Sequence, residues 1–517
     1  HGLDSTPGMI WIKQMSNNSA ATRNWVVWHR SLSLNNTLEL NTTVNQSSTS
    51  FITNVTSTDF TVASGNEVNA SGDNYAWFAF AHDAGGFGIS GSDNVISCGS
   101  YTGNGSATGP TVNLGYEPQW LLVKSSSVNG SHWYLMDVIR GMAYTVCNEL
   151  YANLTATETT QTKTIIPNAT GFSVATTDAY INNSGSTYIY IAIRRGPMAT
   201  PTSGTSVFAP VTYSGTAGTQ TITTGFANDM QIIRRRNSAE NTVIEDKLRG
   251  KEVLRTNTNG AASASSGDVT GYLNTGFILG VSNQGSTNDG GSPPYISWNF
   301  RRAPGFFDVV CYTGTGSNTT VSHNLGVAPN LIIVKPRVTP STETGDWPVY
   351  ASPLTATNRM FLNLSDATNS SNLYWNDTEP TSTVFTVGTN GRVNENTKTY
   401  VAYLFASCPG VSKVGSYTGN GGTINNNGTS QTINCGFTAG SRFVLIKRTD
   451  QADDWYVFDT ARGIVAGNDP YLLLDSTATE VTTADAIDTD NSGFIVNQTS
   501  TTNLNITNAT YIYLAIA

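Results

Sequence analysis

Charged residues are scarce in this sequence. Asp, Glu, Lys and Arg make up 12% of its 517 residues, about half the usual share, and Thr, Ser, Asn and Gly take their place. The formal net charge of −9 and a pI near 5.1 argue against a nucleic-acid or anionic-membrane partner, because such proteins present a basic surface. The dense basic runs, residues 234–236 and 301–302, lie at predicted strand ends, and we expect them to be solvated flanks.

Cysteine and histidine are also sparse. Five cysteines show neither a CxxC spacing nor the even number of a disulfide framework, so buried free thiols are predicted. The five histidines are expected to fall at different places in the repeats described below, which argues against a recurring metal or acid-base site. HExxH, GxSxG and Walker-type motifs are absent. The sequence therefore predicts no catalytic, cofactor-binding or metal-ligating residue and no cofactor.

Long apolar runs and a signal peptide are missing as well. No run approaches the ~20 residues that cross a bilayer, so membrane insertion is not expected. The first residues already lie partway into a repeat, and we expect the missing opening strand to precede His1 in a longer parent chain.

What the sequence does contain is one order of motifs that returns along its whole length. In residues 98–197 the order is SYTGNG (100–105), LGYEPQWLLVK (114–124), DVIRG (137–141), GFSV (171–174) and TYIYIAIRR (187–195). The cation that ends the apolar run recurs at intervals of 111, 110, 101 and 112 residues, at Lys13, Lys124, Arg234, Lys335 and Lys447. A period of this size is that of a domain, larger than a solenoid repeat.

The recurring motifs predict five domains, which we call repeats 1 to 5. Their ranges are 1–96 (opening strand missing), 98–197, 207–303 (diverged), 306–408 and 411–517. Residues 285–294 form a Gly-rich insert in repeat 3, which is expected to be a long exposed loop. Each repeat is expected to fold around its own core.

The repeats read as all-β. Runs of four to eight residues rich in Val, Ile, Tyr, Trp and Thr alternate with Gly, Asn and Pro turns. The closing run of residues 188–193 is apolar on both alternating faces, which predicts a strand that is covered on both sides. The predicted fold class is a tandem array of antiparallel β-sandwich, jelly-roll-like domains.

Three recurring features invite a structural or a chemical interpretation. Asp-x-x-Arg-Gly in repeats 2, 3 and 5 predicts a salt-bridged turn. A tryptophan at positions 25, 133, 347 and 455 is either a core anchor or a sugar-stacking platform, and recurrence favours the anchor. The GNG sequences at 103–105 and 419–421 predict hairpin turns rather than phosphate loops.

Acidic side chains leave two further alternatives open. Three sets of carboxylates could supply the acid and base of a glycosidase, but none of the sets recurs between repeats. They are Asp453 with Asp454, Asp485 with Asp488 and Asp490, and Asp73 with Asp83. Residues 488–493 resemble half of a calcium loop, yet position twelve holds Thr499, so a solvated turn is favoured. Asn-x-Ser/Thr triplets, including those at Asn129, Asn153, Asn168 and Asn505, are glycan sites only if the chain is secreted.

Taken together, these motifs resemble a repeated β-domain of tail-fibre and virion structural proteins of marine bacteriophages, cyanophages especially. The matching motifs are residues 100–105, 114–124, 137–141, 171–172 and 188–193 and their counterparts in repeat 5. The resemblance implies a virion or extracellular location and carries no catalytic residues. Repeats 1 and 4 depart from it, having Trp28-His-Arg and Tyr350-Ala-Ser in place of the Asp/Arg turn. That departure suggests that the turn is optional bracing.

The sequence therefore predicts a non-enzymatic virion fibre, such as a tail fibre, that contacts the host surface. Its expected partners are other copies of itself (a homotrimer by analogy), other virion proteins and host surface glycans bound through many weak contacts. The alternatives are a purely structural capsid fibre, decoration or filament subunit, and a cellular surface adhesin or surface-layer protein.

Overall fold

Antiparallel strands form nearly all of the regular structure. In the computed structural model 41% of the chain is strand and 4% is helix, and the strands form ten antiparallel sheets among the described residues. The residues described are 1–16, 23–88, 90–144, 146–162, 164–264, 268–281, 287–422, 430–499 and 502–517. The predicted fold class, an all-β array of antiparallel sandwich domains, is confirmed.

The chain divides into two compact units, His1–Met198 and Ala199–Ala517. Repeats 1 and 2 lie in the first unit, and repeats 3, 4 and 5 lie in the second. The five-repeat division itself stays a prediction, and we use it below to name equivalent positions.

Repeat 1 contains a four-stranded sheet of order β3-β2-β1-β6 and a two-stranded sheet of β4 and β5. Its elements are β1 Pro7–Gln14, β2 Val26–His29, β3 Leu38–Glu39, β4 Ile52–Val55, β5 Phe60–Val62, the short helix α1 Asn66–Asn69 and β6 Tyr75–Ala81. Among the described residues β6 ends its sheet, at the place where the other repeats pair their closing strand with an opening strand.

Repeat 2 has the complete set of strands. Its elements are β7 Ile96–Thr102, β8 Thr111–Asn113, β9 Pro118–Ser125, β10 Tyr134–Asp137, β11 Cys147–Tyr151, β12 Thr159–Gln161, β13 Ile165–Asn168, β14 Gly171–Val174, helix α2 Ala179–Asn182 and β15 Thr187–Arg194. The larger sheet has the order β12-β11-β10-β9-β15-β7 and the smaller one β13-β14-β8. Side chains of both sheets, such as Tyr101 and Phe172, meet in one core.

Repeat 3 repeats this plan with sheets of order β16-β24-β18-β19-β20-β21 and β17-β23-β22. A 3-10 turn, Gly204–Ser206, precedes its strands β16 Phe208–Ser214, β17 Gln220–Thr223, β18 Met230–Arg235, β19 Val243–Asp246, β20 Glu252–Arg255, β21 Ser263–Ala264, β22 Val269–Leu273, β23 Gly276–Leu279 and β24 Pro294–Phe300.

Repeat 4 has sheets of order β25-β32-β27-β28-β29-β30 and β26-β31. Its elements are β25 Phe307–Thr313, β26 Thr319–Ser322, β27 Leu331–Pro336, β28 Pro348–Ala351, the 3-10 turn Ser352–Leu354, β29 Asn358–Phe361, β30 Asn369–Ser370, α3 Asn372–Trp375, β31 Val384–Val387, α4 Gly391–Asn394 and β32 Thr399–Phe405.

Repeat 5 has sheets of order β33-β40-β35-β36-β37 and β34-β39-β38. Its strands are β33 Ser412–Thr418, β34 Gln431–Asn434, β35 Phe443–Arg448, β36 Trp455–Asp459, β37 Leu472–Leu473, β38 Ile487–Asp490, β39 Gly493–Val496 and β40 Thr510–Ile516.

The closing strand is covered on both faces, as predicted. In β15, Tyr188 and Tyr190 point into the core of repeat 2. The alternate residues Ile189 and Ile191 pack in a second cluster with Met9 and other residues of repeat 1. Successive side chains of a strand point to opposite faces, so a fully apolar strand serves one core within its repeat and one between repeats.

The opening and closing strands are joined by stacked tyrosines. In repeats 2 to 5 the two rings lie 4.7–5.2 Å apart and within 15° of parallel. The pairs are Tyr101 with Tyr188, Tyr213 with Tyr295, Tyr312 with Tyr400, and Tyr417 with Tyr511. Each opening tyrosine donates its hydroxyl to a backbone carbonyl.

Candidate functional site: the docking interfaces between repeats

In repeats 2, 3 and 5 the cation that marks the repeat period is buried and ties one repeat to another. Lys124 Nζ donates to a carbonyl of its own repeat, Ser131 O at 2.7 Å, and to Thr43 O of repeat 1 at 3.3 Å. Lys447 Nζ donates to a carbonyl of repeat 5 and to Ser365 O of repeat 4 at 2.7 Å. In both cases the second carbonyl belongs to the preceding repeat.

Repeat 3 carries Arg234 at this position, and its partner lies in repeat 5. Arg234 Nη2 donates to Ala478 O at 2.6 Å. Nearby, Arg236 pairs with Glu480 through three N–H···O contacts of 2.8–3.0 Å. Repeat 3 therefore docks on repeat 5. Because repeat 4 docks on repeat 3 and repeat 5 docks on repeat 4, the three repeats of the second unit form a closed ring.

Burial of these ammonium groups has a cost that only hydrogen bonds offset. Desolvation lowers the pKa of Lys124 to about 8 and that of Lys335 to about 7, and it also lowers the pKa of Lys447. A lysine of depressed pKa is a candidate nucleophile in an open site. These three side chains are inaccessible to solvent, so their position is suited to bracing.

The recurring tryptophans are docking anchors. Trp133, Trp347 and Trp455 are buried, and each indole N–H donates to a backbone carbonyl of the preceding repeat. The acceptors are Glu39 O at 2.8 Å, Thr258 O at 2.9 Å and Phe361 O at 2.9 Å. The predicted burial is confirmed for these three, but they anchor one repeat on another and are not part of the core of their own repeat. Trp25 of repeat 1 is only half-buried.

The Asp-x-x-Arg sequence forms the predicted salt-bridged turn. Asp459 accepts from the Arg462 backbone N–H at 3.0 Å and from its Nε at 2.6 Å, and Arg462 Nη2 donates to Val457 O at 2.8 Å. Both side chains are fully buried. Trp298 of repeat 3 adds its indole N–H to Asp459 Oδ2 at 2.8 Å.

The same arrangement recurs one step around the ring. Tyr403 of repeat 4 donates its hydroxyl to Asp246 Oδ2 of repeat 3 at 2.8 Å, and Asp246 pairs with Arg249. Tyr403 and Trp298 hold equivalent places in their closing strands. The turn is therefore part of the docking interface, which corrects its interpretation as optional bracing within one repeat.

At the centre of the second unit, aromatic rings from three repeats meet. Phe300 lies 5.0 Å from Phe208, 5.4 Å from Phe307 and 6.2 Å from Phe443, measured between ring centroids. Phe307 belongs to repeat 4 and Phe443 to repeat 5. These contacts add apolar burial to the polar contacts of the rim, as in the core of a permanent interface.

The basic runs are not solvated flanks, so that prediction is wrong. Arg234 and Arg302 are buried. Arg302 Nε donates to Asp308 at 2.7 Å, and Arg236 pairs with Glu480 across an interface. A sequence with few charges uses these guanidinium groups as internal hydrogen-bond donors.

The histidine expectation is also wrong, since His1 and His323 are equivalent. Nδ1 of each accepts the backbone N–H two residues later, from Leu3 and Leu325, both at 3.3 Å. Nε2 of each lies 3.2 Å from a threonine carbonyl, Thr56 O or Thr381 O. They brace the start of an apolar run in repeats 1 and 4.

All five cysteines are buried free thiols, as predicted. Burial raises the pKa of Cys147, Cys311 and Cys435 to about 12. A thiol that stays protonated is a poor nucleophile and metal ligand.

The candidate carboxylates lie in local networks. Asp453 accepts from Tyr456 OH at 3.2 Å, and Asp73 accepts from Gln14 at 2.5 Å. Asp488 lies buried in β38 and accepts from Asn497 at 2.7 Å. The predicted solvated turn is present but shorter than residues 488–493, because only residues 491 and 492, between the paired Asp490 and Gly493, form it. Among the described residues, no group of three or more His, Cys, Asp and Glu could hold a metal ion.

Two loop predictions need correction. The GNG segment at 103–105 joins β7 of the larger sheet to β8 of the smaller one, so it crosses between sheets and is not a hairpin. In the insert of repeat 3, residues 285 and 286 lie outside the described residues. Thr287 and Asn288 are buried, so the insert is not an exposed loop throughout.

Sequence reasoning missed a buried asparagine that precedes the closing strand. Its side-chain oxygen accepts a backbone N–H of the opening loop at 2.7–3.0 Å, and its nitrogen donates to carbonyls. The residues are Asn182, Asn288, Asn394 and Asn505. A fixed offset of six or seven residues before the closing tyrosine is the signal that identifies them.

This asparagine also bears on glycosylation. Asn505 is inaccessible to solvent, and its nitrogen donates to Asn420 Oδ1 at 2.8 Å, so the folded chain cannot carry a glycan there. Asn153 accepts the Trp133 backbone N–H at 3.0 Å. Asn129 is exposed.

A second recurring asparagine holds the docking tryptophan. Asn41, Asn153 and Asn363 each accept the backbone N–H of the tryptophan, at 2.9–3.0 Å. In repeat 5 this residue is Asp475, which accepts from Trp455 N at 3.1 Å. Burial raises the pKa of Asp475 to about 7.

Fold and site together define a class of protein: an array of antiparallel β-sandwiches whose recurrent polar residues dock one sandwich on the next. A family model described as "Domain of unknown function (DUF7483)" matches residues 1–197 and 203–517. The chain belongs to this family. No curated protein matches the sequence. No helix in the described parts of the chain has the length and apolar character needed to cross a membrane.

Proposed function

We propose that this chain is a non-enzymatic fibre protein of a virus particle, in which the β-sandwiches docked on one another within each unit display polar loops to a host surface. The observation that carries the proposal is the use of the recurrent Lys, Trp and Asp-x-x-Arg residues in contacts between repeats. A protein built to bear load and reach outward benefits from such contacts. The phage resemblance of the motifs supports the viral location.

The display surface is the Thr-rich middle segment of repeat 2. Residues 154–162 of repeat 2 are mostly exposed and carry five threonines. Hydroxyl groups on many copies of a loop suit weak, multivalent binding of glycans.

The proposal is tested by localisation and binding. Antibody against the purified chain is applied to the native particle for electron microscopy, and the chain is applied to an array of bacterial surface glycans. We expect the antibody to label fibres of the particle. We also expect the chain to bind a glycan and to lose this binding when the threonines of residues 154–162 are changed to alanine. A Trp455→Phe variant is the control: it removes a docking hydrogen bond of repeat 5, leaves residues 154–162 unchanged and should keep glycan binding.

Label over a continuous coat, without glycan binding, would instead favour the purely structural virion role. Label on a cell envelope would favour a cellular adhesin or surface-layer protein. Cleavage of a glycan by the intact chain would overturn the non-enzymatic assignment.

A further inference from the structure

The first unit repeats one docking step of the second unit and leaves two docking faces uncovered. Repeat 2 docks on repeat 1 through Lys124 and Trp133, as repeat 5 docks on repeat 4 through Lys447 and Trp455. The same family model matches both units. In the second unit, repeat 3 fills the remaining place and closes the ring.

The uncovered face of repeat 1 is the outer side of its closing strand. Phe78 is 49% exposed, whereas the residues at its place in the other repeats, Ile191, Trp298, Tyr403 and Leu514, are at most 3% exposed. Lys13 and Trp25, the docking pair of repeat 1, are only half-buried. In repeat 4 the equivalent Lys335 and Trp347 are fully buried.

The uncovered face of repeat 2 is its Asp/Arg turn. Asp137 and Arg140 have side-chain exposures of 21% and 23%, against 0% for both Asp459 and Arg462. Ile139 within the turn is 40% exposed.

The charge pattern of this turn matches that of repeat 5. Arg140 pairs with Glu158 at 3.0 Å, as Arg462 pairs with Glu480 at 3.3 Å. Glu480 also receives Arg236 of repeat 3, and Asp459 also receives the Trp298 indole. Glu158 is 37% exposed, so a second guanidinium can reach it.

We propose that the first unit takes one further β-sandwich of this family, of the repeat 3 type, between the two faces. The partner domain presents an arginine at the place of Arg236 to Glu158 and an indole or phenol at the place of Trp298 to Asp137. Its segment equivalent to 474–478 of repeat 5 receives Lys13. Phe78 then packs against the partner in the manner of Tyr403 against repeat 3.

The equivalence of His1 and His323 allows a sharp test. Residues 199–322 are joined ahead of His1, so that the added segment supplies a repeat 3 domain and an opening strand in register with repeat 1. Reporter cysteines replace Phe78 or Ile139 in the full chain with and without the addition, and maleimide labelling is followed in time. The native cysteines are buried, and Leu373→Cys, at a side chain that is 49% exposed, is the control.

Labelling at positions 78 and 139 is expected to slow by about tenfold or more when the segment is added, as for a site that must open before it reacts, while position 373 is unchanged. Changing Arg236→Glu and Trp298→Ala in the added copy alone should restore fast labelling at 139. Unchanged labelling at both reporters, whether or not the added segment folds, would overturn the proposal. Protection that rises with concentration in the chain without the addition would also overturn it, because the occupant is then a second copy.

Discussion

Asp246, Asp459 and Ala351 occupy one position in the three repeats of the second unit, and the residue that faces each of them changes accordingly. Tyr403 and Trp298 donate to the two carboxylates. Leu514 holds the equivalent place in the closing strand of repeat 5, whose neighbour, repeat 4, has Ala351. Each carboxylate thus meets a donor, and the repeat that lacks the carboxylate is followed by one that has an apolar residue in place of the donor.

The Tyr403 hydroxyl gives a test at this scale. Tyr403→Phe leaves a buried carboxylate without one hydrogen bond, which should lower the free energy of unfolding by about 1–3 kcal/mol. Urea unfolding followed by tryptophan fluorescence measures it. Tyr180→Phe, at an exposed residue, is the control and should change stability little; an equal effect of the two variants would contradict the assignment.

Asp475 predicts a pH dependence that asparagine would remove. Its pKa is raised to about 7 by burial, above an unfolded value near 4. The protonated form therefore stabilises the fold fully below about pH 4, and this contribution is lost as the pH rises toward 7.

Asp475→Asn supplies the amide found in the other repeats. We expect it to raise the thermal midpoint at pH 7.5 by a few degrees and to leave it nearly unchanged at pH 4. The reciprocal change Asn363→Asp in repeat 4, beside Asp346, should destabilise at pH 7.5. A destabilising Asp475→Asn at pH 7.5 would show that the carboxylate form is the one that the fold uses.

At the scale of elements, the Asp-x-x-Arg turn has one sequence and two environments. In repeat 5 the pair is buried and receives Trp298, and in repeat 2 it is partly exposed. The cost of removing one partner of an ion pair depends on this difference, because a buried charge left alone is costly and an exposed one is solvated.

Asp459→Ala should therefore destabilise far more than Asp137→Ala. We expect a loss of about 3–5 kcal/mol for the buried turn and of about 1 kcal/mol or less for the partly exposed one. Hydrogen exchange of each turn, followed by mass spectrometry, measures the two effects in the same chain. Comparable losses at both turns would mean that burial does not determine the strength of the pair.

The element scale also shows how far the sequence reaches. Strand type, the closing strand covered on both faces and the tryptophan anchors follow from periodicity and recurrence. The docking order does not, because the pairs that close the ring, such as Arg236 with Glu480, are 244 residues apart and no local pattern links them. The prediction that the arginine runs are solvated is wrong for the same reason. A guanidinium group at a strand end is solvated or buried according to which repeat docks there, and the local sequence does not show this.

Asn182 and its equivalents were missed for another reason. Asparagine is frequent in this sequence, so a single buried one has no compositional signal. Only its distance from the closing tyrosine distinguishes it. Its hydrogen bonds, to Asn104 N and to the carbonyls of Ser106 and Thr176, satisfy backbone groups that would otherwise be buried without partners.

At the scale of the molecule, a buried histidine of the first unit and two buried carboxyl groups of the second should respond to acid in opposite senses. In the first unit, burial lowers the pKa of His29 to about 4, so the stability that it contributes above pH 6.5 is lost as the pH falls toward 4. In repeat 5, burial raises the pKa of both Asp469 and Asp475 to about 7, so stability is gained over the same range.

Hydrogen exchange at pH 7 and pH 5, corrected for intrinsic rates, measures this contrast. Peptides around His29 and its acceptor Tyr190 should lose protection at pH 5, and peptides of 465–497 should gain it. His29→Gln, which keeps a hydrogen-bond donor without a titrating ring, should abolish the first change only. The same sign of change in both sets would contradict the pKa assignments.

The closed ring of the second unit is the central claim, and it also bears on assembly. The ring places three sandwiches around one centre within a single chain. The homotrimer implied by the phage resemblance stays a prediction, which light scattering of the purified chain can test. The ring itself depends on contacts between its first and last repeats.

The most direct test of the ring is a double-mutant cycle between Arg236 and Glu480. The pair joins repeats 3 and 5 through a bidentate contact, Nε to Oε1 and Nη2 to Oε2, so removing both residues should cost less than the sum of the single alanine variants, with a coupling energy of about 0.5–3 kcal/mol. Arg235→Ala, whose side chain pairs with Asp289 of its own repeat, should not couple to Glu480. Additive effects of Arg236→Ala and Glu480→Ala would contradict closure of the ring.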